Sequence, residues 1–267
     1  MATFDFKSYL TSFFPDISLT DLQIEPLTGG LTNFTVRVSF SGQKMSLPNS
    51  NCSYSSFIVK QAPPYIASIG PGQALSTRRQ VIEAMALRLF SNSGSDGDPT
   101  ILAEILRKHP KILIPEPVYH DEKNSILIMS DLGKLPTLSD YLKLQSPTTN
   151  FASILGKFLA DLYSSTRDSS GQLAHLFENQ ESSATIGELI SSISEKLLKA
   201  YGVTDAEVLG GAIRDGFSPH KSESGSCFGM VDLWPGSILI GTDFVGLVDW
   251  EYSGVSSPGG ELGMLSK

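Results

Sequence analysis

Alternating apolar and polar positions dominate the first half of the chain. "LQIEPL" (Leu22 to Leu27) and "FTVRVSF" (Phe34 to Phe40) alternate with a period of two, which predicts two strands, and "TGGLTN" between them reads as a glycine turn. After the polar insert "SGQKMSLPNSNCSYSS", "FIVKQA" predicts a third strand with Lys60 at its end. In "RRQVIEAMALRLF" the residues Val81, Met85 and Leu89 recur at helical spacing, with Glu83 on a neighbouring face. "SNSGSDGDPT" reads as a loop, and "PEPVYHD" and "SILIMSDLG" predict a hairpin pair separated by "EKN". Together these segments predict a small antiparallel sheet carrying one helix.

The period changes after "MSDLGK". In "FASILGKFLADLYSSTR" an apolar stripe runs through Phe151, Ile154, Leu155, Phe158, Leu159, Leu162 and Tyr163, the mark of a helix buried along its length. "TIGELISSISEKLLKAY" repeats the pattern through Ile186, Leu189, Ile190, Ile193, Leu197 and Tyr201, with Thr185 and Glu188 spaced as a capping box. "TLSDYLKL" offers a similar start at Thr137 and Asp140. The expected division is a sheet-rich lobe over 1–132 and a helical lobe over 133–267. Two lobes of different class joined by one short connector leave a cleft, where small molecules bind. Near the end, "FGMVDLWPGSILIGTDFVGLVDWEYSG" returns to short apolar strands around a turn, with Asp232 after one strand and Asp249 ending another.

Composition narrows the class of protein. A 267-residue chain with 40% hydrophobic and 18% charged residues can bury a large core, which excludes disorder. Its net charge of −8 argues against general nucleic-acid binding, which needs a basic surface, and fits a cationic substrate as well as an ordinary acidic protein. Cys52 and Cys227 lack metal or disulfide-framework spacing, and His109, His120, His175 and His220 lack ligand spacing, so all four histidines read as structural or surface residues. "MATFDFKSYLTSFFPD" has no signal-peptide pattern and no segment is long and apolar enough to span a bilayer, so a cytoplasmic location without membrane association is the expectation. The oligomeric state is not legible.

Three groups of residues carry candidate chemistry. Adjacent glycines, Gly29 and Gly30, let backbone N–H groups approach phosphate oxygens without a Cβ in the way; the same pair also fits an ordinary hairpin turn. Lys60 ends an apolar strand and Glu83 lies on the following helix, and a Lys–Glu pair of this kind holds an ammonium against two nucleotide phosphates; the alternative is two solvated charges. Phosphoryl transfer to a hydroxyl needs a carboxylate for the hydroxyl proton and oxygen ligands for Mg²⁺. Asp232, Ser237 and Asp249 stand in the required order, with a hairpin between the two carboxylates.

The ordered set "GGLTN", "IVK", Arg79 and Glu83, "ILIMSDLG", "LGKFLADLYSSTR", "DLWPGSILI" and "VGLVDWEYSG" resembles the aminoglycoside phosphotransferase and choline kinase-like family over about Leu22 to Leu262. That resemblance implies an α+β, two-lobed protein-kinase-like fold with an antiparallel-sheet N-lobe and an incomplete helical C-lobe. It implies an ATP- and Mg²⁺-dependent kinase acting on a small-molecule hydroxyl acceptor. By position, Asp232 becomes the catalytic base, Ser237 and Asp249 the metal ligands, Lys60 the phosphate-binding lysine and Glu83 its orienting partner. Met129, Ser130, Asp131 and Leu132 become the hinge that receives adenine.

Three departures stand out. Met230 replaces the family's usual His two residues before the base, a change that fits apolar packing of the loop. Ser237 replaces the usual Asn; a hydroxyl is a shorter neutral oxygen donor able to reach Mg²⁺ directly or through water, and the similar methylthioribose kinases carry Ser there. The chain stops at Lys267, where family members continue with further helices, so a C-terminally truncated lobe is expected. Two other readings stay open: a non-catalytic pseudokinase or nucleotide-binding remnant, and a protein kinase. The latter lacks support, because "WEYSG" follows Asp249 with no DFG and no downstream APE.

Overall fold

The structure is a computed structural model that describes residues 4–13, 21–41, 44–45, 53–91, 99–143, 150–167, 176–177, 180–216 and 226–265. Its strands are β1 (Leu22–Pro26), β2 (Phe34–Phe40), β3 (Ser56–Gln61), β4 (Ile112–Leu113), β5 (Pro117–Asp121), β6 (Ile126–Ser130), β7 (Cys227–Gly229), β8 (Ile238–Ile240), β9 (Val245–Leu247) and β10 (Gly254–Ser256). Its helices are α1 (Phe6–Phe13), α2 (Arg78–Phe90), α3 (Ile101–Lys108), α4 (Leu138–Leu142), α5 (Phe151–Ser165), α6 (Gln180–Ala200), α7 (Ala206–Gly216) and α8 (Pro258–Leu265).

Five strands form an antiparallel sheet in the order β1-β2-β3-β6-β5. Because side chains alternate across a strand, Val36, Val38, Phe57, Val59, Ile126 and Ile128 fall on one face, where Phe6 and Leu10 of α1 cover them. The opposite face carries Thr35, Arg37, Ile58, Lys60, Leu127 and Met129, aligned across the sheet by the register Thr35↔Lys60, Ile58↔Met129 and Lys60↔Leu127. One face is therefore closed by a helix, and the other looks into the cleft and onto α2.

The main core lies beneath that second face. Ile82, Leu87 and Phe90 of α2 pack with Leu102 and Ile105 of α3, with Leu155, Phe158 and Leu162 of α5, and with the small strands β7 to β9. The stripe read in the sequence of α5 accounts for this: Leu155, Phe158, Leu159, Leu162 and Tyr163 are all buried. Trp250, fully buried, stacks parallel to Phe228 at 6.5 Å and meets Phe90 at 4.6 Å, so the end of α2 is tied to the strands that carry the two aspartates.

Several expectations need correction. The first half carries more than one helix: α1 and α3 were not legible, and α3 packs against α5 while β4 pairs in parallel with β9. Thr185 and Glu188 form no N-terminal cap, because α6 begins earlier, at Gln180. The apolar stripe of α6 is only partly covered, with Ile193, Leu197 and Tyr201 exposed. Thr137, by contrast, caps α4, its hydroxyl accepting from the Asp140 N–H at 3.1 Å. Cys227 is buried and free, whereas Cys52, His175 and His220 lie outside the described residues. Among the described residues, no helix is long and apolar enough to cross a membrane.

Candidate active site

A cavity of about 800 Å³ separates the sheet from the helical part of the chain. Its lining includes Gly29, Gly30, Lys60, Glu83, Met129, Ser130, Asp131, Leu132 and Asp249, so most residues singled out in the sequence meet in one place. Gly29 has φ +116°, a backbone region that L side chains rarely adopt, and no atom lies within 4 Å of where a Cβ would stand. The turn after β1 thus keeps both its conformation and open space in front of it.

Lys60 projects from β3 between two carboxylates. Its ammonium lies 2.8 Å from Glu83 Oε2 and also donates to Asp249 Oδ1. Burial opposes its charge, but Asp249, Glu83 and Glu251 outweigh that and hold its pKa well above the ordinary lysine value. Glu83 responds in the opposite sense: burial pushes its carboxyl up, against the pull of Lys60, and the nearby Asp249 and Glu251 add to the rise. Glu83 is nearly sealed, with 2% of its side chain exposed, whereas Asp249 keeps 28%. Asp249 is therefore the carboxylate that faces a ligand.

The backbone around Asp249 is held in an uncommon state. Asp249 has φ +73°, which costs a non-glycine residue energy and is retained only where the surroundings enforce it. The surroundings here are the buried Trp250, whose indole N–H donates to the Leu247 carbonyl at 3.1 Å, and Val248, whose N–H donates to the Ser237 carbonyl at 3.0 Å. The β8–β9 hairpin thereby presents Asp249 at its mouth.

Asp232 and Ser237 are outside the cavity lining, although their neighbours Trp234 and Gly236 belong to it. Asp232 is half-buried before the 3₁₀ turn Pro235–Ser237. It shares a neighbourhood with the other acids: burial raises the Tyr252 phenol, and Glu251, Asp249 and Asp232 raise it further. The Ser237 hydroxyl is buried and turned into its own turn, donating to the Trp234 carbonyl at 2.8 Å and accepting from the Trp234 N–H at 3.3 Å. Met230, two residues before Asp232, is buried core.

The loop that carries Asp232 is braced from below. Val231 has φ +66°, a genuine outlier for a β-branched residue. Its N–H donates to Glu261 Oε1 at 2.7 Å, and the Ser256 hydroxyl donates to the same oxygen at 2.6 Å. Burial raises the Glu261 carboxyl, and the hydrogen bonds from Ser256 and from the Val231 and Met230 N–H groups offset part of that rise. Gly229 makes room for it, since a Cβ there would lie 2.4 Å from Glu261 Oε1.

A second network was not legible in the sequence. Glu251 accepts from the Thr32 hydroxyl and the Asn33 amide, both at 2.6 Å, and lies 3.5 Å from Arg79. Arg79 is fully buried and donates to Asn33 Oδ1 and to the carbonyls of Thr32, Pro63 and Ser76. The turn after β1, the start of α2 and the segment after Asp249 are thus fastened to one guanidinium. The segment after β6 is fixed in a similar way: Arg37 on β2 pairs with Asp131 at 2.8 and 3.1 Å and donates to the Gly133 carbonyl.

Glu83, Asp249 and Glu251 each offer an oxygen within 4.8 Å of the others, a hard donor set suited to Mg²⁺. All three are engaged, Glu83 and Asp249 by Lys60 and Glu251 by Thr32, Asn33 and Arg79. Asp249 is the one whose side chain is open to the cleft, the other two being sealed, so it is the oxygen donor best placed for a cation there.

No protein-family model matches the chain. The chain is 27% identical to a 4-hydroxytryptamine kinase of Psilocybe cyanescens, over 98% of its own length and 72% of that protein. It is 28% identical to the 4-hydroxytryptamine kinase of Psilocybe cubensis, over 81% of this chain and 57% of that one. Among solved structures it superposes on the aminoglycoside phosphotransferase APH(2")-IIa in its ternary complex with streptomycin and ATP, with a TM-score of 0.51 and 18% identity over 98% of this chain and 75% of that chain. The fold is that of the two-lobed, α+β protein-kinase-like enzymes.

Proposed function

We infer that the chain is an ATP- and Mg²⁺-dependent phosphotransferase of the aminoglycoside phosphotransferase and choline kinase-like group, acting on a hydroxyl of a small molecule. The observation that carries this reading is the ammonium of Lys60, held between Glu83 and Asp249 at the wall of the cleft. In this reading the N-terminal lobe, 1–132, supplies the nucleotide site and ends at the hinge, and 133–267 supplies the loop with Asp232. A cytoplasmic location, where ATP is made, belongs to the same proposal.

Each residue has a role in positioning or charge stabilisation. Met129, Ser130, Asp131 and Leu132 receive the adenine at the hinge, which the Arg37–Asp131 pair keeps rigid. The N–H groups at Gly29 and Gly30 and the Lys60 ammonium bind phosphate oxygens. Asp249 would hold Mg²⁺, with Ser237 as the second candidate ligand, although its hydroxyl is committed to Trp234. Mg²⁺, when bound, neutralises the phosphate charge and orients the terminal phosphoryl. Asp232 accepts the proton of the acceptor hydroxyl as its oxygen bonds to the γ-phosphorus; the bond to the β-phosphate oxygen breaks and ADP leaves. The acceptor class the relatives favour is a small hydroxylated amine, which an acidic chain suits.

The test is transfer of labelled γ-phosphoryl from ATP to a panel of small hydroxylated amines. Wild type is expected to form a phosphate ester, and Asp232→Asn to lose turnover while binding ATP as before. Mg²⁺-dependent ATP binding without ester formation on any hydroxyl would favour a non-catalytic nucleotide-binding protein, the second reading, to which the inward-turned Ser237 hydroxyl lends weight.

A further inference from the structure

A second cavity, of about 270 Å³, lies at the N-terminal end of α2, lined by Ser76, Thr77, Arg78, Gln80, His120 and Ser125 together with Val81 and Glu122. It is built around the N-terminus of α2, a 13-residue helix that brings the positive end of its dipole there; in its first turn the Arg78 N–H donates to the Ser76 hydroxyl at 3.4 Å and the Gln80 N–H to the Thr77 carbonyl at 3.0 Å. The cap residue, Thr77, makes no side-chain capping bond, and the first turn holds no acidic residue. The ends of helices left this way favour anions.

Two further side chains point to a ligand. The His120 side chain is 2% exposed, and neither of its ring nitrogens has a hydrogen-bond partner. Gln80, also buried, donates its amide to the Lys60 carbonyl at 2.6 Å but leaves Oε1 without a partner. Buried polar groups are almost always satisfied, so an imidazole and an amide oxygen left open around one cavity mark missing partners. Burial, then Arg88, lowers the His120 pKa, against Glu122 and Asp121, so the ring is neutral with one N–H to give.

We propose that this cavity binds a phosphate group, carried by inorganic phosphate or by a small phosphate monoester, and that its occupation steadies α2 and the Lys60–Glu83 pair. A hydrogen phosphate at the positive end of the helix supplies acceptor oxygens for the His120 N–H and an anionic partner for the Arg78 guanidinium. Its remaining P–OH supplies the donor that Gln80 Oε1 lacks; a carboxylate has no such hydrogen. The one acid at the cavity, Glu122, has 72% of its side chain in solvent and lies at the rim. The route to the cleft is short, because Gln80 touches the cavity on one side and the main chain of Lys60 on the other. Only the effect on catalysis rests on the phosphotransferase reading; binding stands on its own.

The experiment is an NMR titration of the amide groups of Thr77 to Gln80 and of the His120 ring, with inorganic phosphate in one arm and glycerol phosphate in the other. Saturable shifts at these positions are expected in at least one arm, and the tighter arm names the source. Arg78→Gln, an exposed and foldable change, is expected to weaken binding by about tenfold or more, the loss of a charge-assisted hydrogen bond. His120→Phe is expected to do the same. The readout is local, so phosphate entering the cleft appears instead at Gly29, Gly30 and Lys60. No shift at 77–80 in either arm, or equal shifts in Arg78→Gln, overturns the site. Binding that leaves ATP affinity unchanged overturns the coupling to Lys60, and phosphate binding with no phosphoryl transfer at all overturns the functional reading alone.

Discussion

At the scale of the residue, charge placed in a low-dielectric setting decides what each group does. Lys60 remains an ammonium because three carboxylates offset its burial, and that fixed charge suits it to phosphate oxygens. His120 shows the reverse, a ring kept neutral by burial. Its folded pKa lies below the ordinary 6.5, so the unfolded chain takes up a proton that the folded chain refuses as the pH drops below that value. Stability is therefore full above pH 6.5 and declines as the pH falls from there to the folded pKa. Urea melts at a series of pH values are expected to show this decline in phosphate-free buffer and to show a smaller one in His120→Phe. An identical decline in the variant would remove His120 as its source. The sequence made Lys60 and Asp249 legible because each ends an apolar run, where a charge has no packing role. Glu251 and Arg79 were not given roles because their partners, Asn33 above all, are distant along the chain, 218 residues in the first case and 46 in the second.

At the scale of the element, period explains what was legible and length explains what was not. The alternation in β1 and β2 marked them as strands and the stripe of α5 marked a core helix, whereas it is the register of β3 with β6 that sets Lys60 and Met129 on one sheet face. Helices α1 and α3 span only eight residues each, about two turns, too short for a repeating stripe to stand out. The left-handed Val231 was invisible because nothing in "GMVD" forces it; the force comes from Glu261 on α8, packed against the strand Cys227–Gly229. Gly229→Ala tests that brace. The new methyl would need Glu261 to withdraw from Val231 and Ser256, so a loss of about 1–3 kcal/mol of stability is expected from the donors left unpaired. Turnover is expected to fall while ATP affinity stays near wild type, since the loop with Asp232 moves and Lys60 does not. A variant with unchanged melting and turnover would show that the brace is not needed.

At the scale of the whole molecule, the two halves are joined through α2. Its Phe90 meets Trp250 behind Asp249, its Glu83 holds Lys60, and its Arg79 binds the turn after β1 and the Glu251 segment together. Removing one member of a buried charged pair leaves the other without a partner, at a cost of about 3–5 kcal/mol. Arg79→Met is expected to destabilise the fold on that scale and to weaken ATP binding, as the turn after β1 loses its anchor; calorimetry and nucleotide titration measure the two effects separately. The fold class was legible because ordered motifs on sheet and helix survive low identity, whereas the interlocking through α2 depends on contacts between distant segments. The central claim is that Lys60 and Asp249 form one Mg²⁺-nucleotide site, and isothermal titration of ATP, with Mg²⁺ and with the metal chelated, tests it most directly. Wild type is expected to bind ATP much more tightly with Mg²⁺, and Asp249→Ala to bind it weakly and equally in both conditions. Full Mg²⁺ enhancement in Asp249→Ala, or no ATP binding by wild type in either condition, would contradict the account.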